Sequence, residues 1–79
     1  MKRIIALYER GWQSRGLYGY FQGWFLVGVY TKKPSFTMHI EKAAVFDEQH
    51  QDEMDDIIKS LKTRIGYSEL LIKAEEIES

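Results

Sequence analysis

Seventy-nine residues make one domain, and a chain of this length buries only a modest core. It contains no cysteine, which excludes a disulfide framework and a thiolate metal site and fits a reducing compartment. The net charge of −1 hides a split: residues 1–40 carry six basic side chains and one acid, and residues 41–79 carry five basic and eleven acidic ones. A split like this can mark a basic binding face, or it can vanish when the halves of a small domain interleave.

Residues 3–8 read as a short strand. Ile5 and Leu7 share one face, and Ile4, Ala6 and Tyr8 share the other, so both faces are apolar and a central place in a sheet is expected. The apolar run after the basic start is too short for a secretory core, and no stretch approaches the ~20 apolar residues of a membrane span. The expected setting is therefore cytoplasmic, with no membrane partner.

Residues 9–19 hold three glycines without periodicity and read as a long hairpin loop. Residues 20–30 are the most hydrophobic stretch and read as a strand, with Gly23 and Gly28 as marks of a bulge or a close approach. Thr31 to Phe36, with the only proline, reads as a turn or irregular edge, and residues 37–46 as a third, broken strand.

Met54, Ile57, Ile58, Leu61 and Ile65 fall at spacings of 3, 1, 3 and 4, which place them on one stripe of a helix over about 48–65. Asp47 is a fitting N-cap, Glu48 suits the positive end of the helix dipole, and Gly66 can close the other end. Residues 69–77 read as a last strand with Leu70, Ile72 and Ala74 on one face; a second helix competes, since Glu, Leu, Lys and Ala favour one. The fold class is α+β: a small antiparallel sheet in the order β-β-β-α-β with one amphipathic helix on one face.

The run Phe36-Thr37-Met38-His39-Ile40-Glu41-Lys42-Ala43-Ala44-Val45-Phe46-Asp47 leads into an acidic amphipathic helix and a short Glu-rich strand. This pattern, over roughly residues 20–78, resembles small uncharacterised one-domain proteins of phages and prophages of Gram-positive bacteria. The resemblance brings no catalytic residue. It implies a viral setting inside a bacterial host, where such proteins bind and redirect a host protein.

Three groups of residues are candidates for function. The first is the aromatic and basic cluster Arg10, Trp12, Arg15, Tyr18, Trp24 and Tyr30, a composition found both in protein–protein hot spots and in surfaces that stack bases and neutralise phosphates. Near-neutral net charge favours a protein partner over nucleic acid. Tyr20 and Phe21 are expected to be structural. The second is the acidic helix face Glu48, Asp52, Asp55 and Asp56, either a solvated surface with an Asp55–Lys59 pair or an acidic surface that fits a basic groove. The third is the sheet face away from the helix, where Trp24, Leu26, Tyr30, Ile4 and Tyr8 would form an apolar patch that a second copy could cover, giving a homodimer.

Enzymatic chemistry has little support. His39 and His50 lack metal-ligand spacing, and there is no glycine-rich phosphate loop, nucleophile elbow or cysteine nucleophile. No cofactor, metal or catalytic residue is expected. The expected function is binding to a surface of a larger host macromolecule, with inhibition as one outcome. The alternative is a nucleic-acid-binding module.

Overall fold

Among the described residues four strands and one α-helix build the fold: β1 (Lys2–Tyr8), β2 (Leu17–Leu26), β3 (Lys32–Thr37), α1 (Gln51–Thr63) and β4 (Leu71–Ile77). The structure, a computed structural model, describes residues 2–9 and 16–77. All strands join one antiparallel sheet in the order β3-β2-β1-β4, the α+β plan that the sequence predicts.

β1 is central. Its four consecutive apolar residues Ile4, Ile5, Ala6 and Leu7 are buried, which is what a strand covered on both faces requires. Ile5 and Leu7 join Phe21, Phe46, Met54, Leu61 and Ile72 in the main core. Burying a large aliphatic or aromatic side chain of this kind contributes roughly 1.5–3 kcal/mol.

α1 forms where the apolar stripe lies over that core. Asp47 accepts a hydrogen bond from the Gln49 backbone N–H at 3.0 Å and starts a short 3-10 turn, Glu48–His50, that runs into the helix. Met54 and Leu61 are buried, and Ile57 and Ile58 pack against the core. Ile65 does not belong to the stripe, contrary to expectation. The helix stops at Thr63, Arg64 is already extended (φ −83°, ψ 140°), and Gly66 turns the chain at φ +96°, leaving Ile65 fully exposed. Residues 71–77 are strand and not a second helix: Ile72 of β4 enters the core, and Ala74 of β4 and Leu70 just before it pack against it.

The third strand lies earlier than expected, over Lys32–Thr37, and includes Pro34 opposite Trp24. Proline is tolerated there because β3 is an edge strand and needs no second ladder of N–H donors. Residues 38–46 are instead irregular, with a 3-10 turn at Ile40–Lys42. This segment is pinned to the sheet at two places. Arg3 and Phe46 exchange both backbone hydrogen bonds at 2.8 Å, and Ala44 N–H donates to Phe21 C=O at 2.9 Å. Phe46 thereby reaches the core.

The face away from α1 is not the apolar patch that strand alternation predicts. Ile4 is only 1% exposed there. The register sets Ala6 between Tyr20 and Lys73, and Ile4 opposite Glu75, so long side chains flank the small central strip. Tyr8 donates its hydroxyl to Glu75 Oε1 at 2.5 Å, and Lys73 Nζ stands 5.0 Å from the Tyr8 ring centre. That hydrogen bond, helped by burial and the Glu75 charge, pushes the Tyr8 pKa up to about 12.

Candidate functional site

The same strand that supplies the core runs out of it. Phe21 is 2% exposed, whereas Trp24, three residues on, is 36% exposed. A register shift between Phe21 and Gly23 inserts one extra residue into β2. Such a bulge reverses the face of every later side chain. Trp24, opposite Pro34, therefore stands on the helix side: its ring meets Phe21 edge to face at 5.5 Å, and the Arg64 guanidinium lies 5.8 Å from its centre. Alternation puts Leu26 and Lys32 with Trp24, and Phe25 and Lys33 on the other side. The expected placement of Trp24 and Leu26 on the open face is thus corrected by one bulged residue.

Beyond Leu26 the chain turns through four bent residues and closes with Val27 N–H donating to Thr31 C=O at 2.9 Å. The expected strand over 20–30 therefore ends early. Trp24, Phe25, Leu26, Val27, Val29 and Tyr30 are all exposed, Tyr30 at 95%. Six large apolar side chains at one hairpin end exceed the scattered exposure normal for a small protein. Two depressions adjoin it. One lies between Trp24, Tyr30, Lys32, Ser60 and Arg64. The other has a floor of Phe21, Trp24, Ala44, Phe46 and Ile57 and an acidic rim of Glu53 and Asp56. Arg64 also donates from Nη2 to the Lys32 carbonyl at 3.3 Å, tying the end of the helix to the start of β3.

Of the aromatic and basic candidates, the structure brings Trp24 and Tyr30 together and places Tyr18 elsewhere. Tyr18 lies in β2, not in a loop, and stands edge to face with Phe36 at 5.4 Å and with Tyr67 at 6.3 Å. Partial burial, then the neighbouring Tyr67 and Glu9, raise its pKa. Tyr18 supports an aromatic row, Tyr67–Phe36–Phe21–Trp24, that leads from the helix C-terminal turn to the hairpin. Arg10, Trp12 and Arg15 lie outside the described residues. Val29, Lys32 and Arg64 are site residues that sequence reasoning passed over. Gly28 within an apolar run, followed by Lys32-Lys33-Pro34, was a usable turn signal.

Glu48, Asp52, Asp55 and Asp56 are all exposed, and only Asp56 borders the cleft. Asp55 and Lys59 do not pair. Among the described residues the ion pairs are Arg3–Glu76 at 3.6 Å, His39–Glu41 at 3.6 Å and His50–Asp47 at 2.7 Å. The His50–Asp47 hydrogen bond raises the histidine pKa and lowers that of the aspartate, so this histidine is a helix-start partner. Among the described residues no group of three or more His, Asp or Glu side chains could hold a metal, and no helix is long and apolar enough to cross a membrane. No protein-family model matches the chain, and no curated protein or solved structure matches it significantly.

Proposed function

We propose that the protein works by binding, through the β2–β3 hairpin end and the cleft beside it, and that it acts by occupying a surface of a larger protein. The supporting observation is the row of exposed side chains from Trp24 to Tyr30 beside Arg64 and Lys32. Trp, Tyr and Arg dominate interface hot spots, because they combine large apolar area with a polar end. In the viral setting that the resemblance implies, the occupied molecule is a bacterial host protein and the outcome is inhibitory.

The test is capture of host proteins by the immobilised chain and by its Tyr30→Ala and Leu26→Asp variants, each checked for native circular dichroism. A host protein held by the parent chain and lost by both variants supports the reading. Equal capture by all three would remove the hairpin end from the function. A second reading, nucleic-acid binding, is favoured by Arg64 over the Trp24 ring with Lys32 beside it. It requires affinity for a single-stranded oligonucleotide that falls steeply with salt.

A further inference from the structure

We infer that one occupant of the hairpin surface is a second copy of this chain, docked so that the hairpin end of each copy lies in the cleft of the other. The inference rests on the reading above of this surface as an interaction site and names its partner.

The surface carries two opposite halves side by side. The hairpin half is apolar, with Lys32 at its base on the helix side and Lys33 at its base on the other side of the hairpin. The cleft half has an apolar floor with Glu53 and Asp56 on its rim. Trp24 borders both. Lys32, Lys33 and Asp56 make no ion pair within 4 Å among the described residues. A partner must therefore offer an apolar projection with positive charge and an apolar hollow with negative charge. A second copy offers both by construction, and a two-fold axis near Trp24 makes the two contacts identical. A nucleic acid or an anionic lipid surface would satisfy the lysines and be repelled by Glu53 and Asp56, with Asp52 and Asp55 on the same helix.

The sheet edges do not offer a competing route. β3 presents Lys32, Lys33 and Pro34, and β4 presents Lys73, Glu75 and Glu76, residue types that blunt strand-to-strand addition. Assembly is left to side-chain surfaces. A host protein and a second copy would compete for the one that is free.

The experiment is sedimentation equilibrium over a micromolar concentration series, on the full chain and on two charge-reversed chains. One is Lys32→Glu with Lys33→Glu; the other is Glu53→Lys with Asp56→Lys. All four residues are exposed, and circular dichroism verifies that each variant is folded. The parent is expected at twice its 9.3 kDa chain mass. Each variant alone should dissociate more readily, on the order of ten- to a hundredfold. An equimolar mixture of the two should regain the dimer, because each reversed hairpin then meets a reversed cleft. A 9.3 kDa species throughout the series overturns the inference. So does a dimer indifferent to both reversals, or a monomer that instead sediments with anionic vesicles and not with neutral ones. Host capture that still depends on Tyr30 and Leu26 would, in those cases, leave the broader reading of the surface standing. Loss of both would end both.

Discussion

β2 belongs to two different regions. Its first half, around Gly19 and Phe21, lies under α1 and is sealed by β1, Phe46 and Leu61. Its second half, from Trp24 on, is equally apolar in sequence and open to solvent. The difference is one of cover, not of composition. α1 has thirteen residues, about 20 Å at 1.5 Å per residue, and it ends at the level of Trp24, where Arg64 lies over the ring. Hydrophobic residues are assigned to core or surface by what reaches them. A small domain with one short helix therefore leaves an apolar remainder whenever its longest strand exceeds that helix's reach.

The sharpest way to break this comparison is to truncate one residue on each side of it. Leu61→Ala, in the sealed half, should cost ~2–5 kcal/mol by chemical denaturation, since it empties the space beneath the helix. Tyr8→Phe, on the opposite face, removes the donor to Glu75 and should cost about 1 kcal/mol. It should also delete the tyrosine step near pH 12 from the ultraviolet titration. Leu26→Ser, in the open half, should change stability by no more than about 0.5 kcal/mol. A loss at Leu26 as large as that at Leu61 would mean the hairpin end is core.

The smallest effect concerns the helix start. The folded-state pKa of His50 is raised, so its contribution is full below the unfolded value of 6.5 and fades as pH rises through the folded one. That of Asp47 is lowered, so its contribution is full above 3.8 and fades as pH falls through the folded value. The pair therefore contributes fully between these values. His50→Ala should flatten the stability–pH curve on the alkaline side of that window while leaving the ends unchanged. A parent curve without that alkaline decline would dismiss the pair.

Much of the fold was legible because it depends on period. The helix stripe, the Asp47 cap, the two-faced β1 and the last strand all follow from spacing and residue type. What was not legible depends on single residues. Gly23 reads as the mark of a bulge or a close approach, and the bulge does fall at the Phe21–Gly23 step; what the alternating apolar pattern does not display is that the extra residue moves Trp24 and Leu26 across the sheet. Pro34 left residues 31–36 open between a turn and an irregular edge; the segment is an edge strand, and what decides it is a neighbour's absence that sequence does not display. Ile65 continued the helical period after the backbone had left the helix. Within the site, Trp24 and Tyr30 were named for their chemistry. Arg64 was not, since its role arises only when the helix end meets a hairpin 32 or more residues away in sequence.

The pairing of β1 with β4 has a consequence for synthesis. Lys2 faces Ile77 and Tyr8 faces Leu71, so β1 is made well before β4 and waits for it before its second ladder can form. Long-range pairing of this kind is slow, because the intervening chain must be closed before any bond rewards it. Until residues 71–77 leave the ribosome, β1 has a hairpin partner on one edge and an open, strongly apolar edge on the other. That edge is a template for other nascent chains. During translation the molecule is most exposed to misassembly at the strand that ends up best buried.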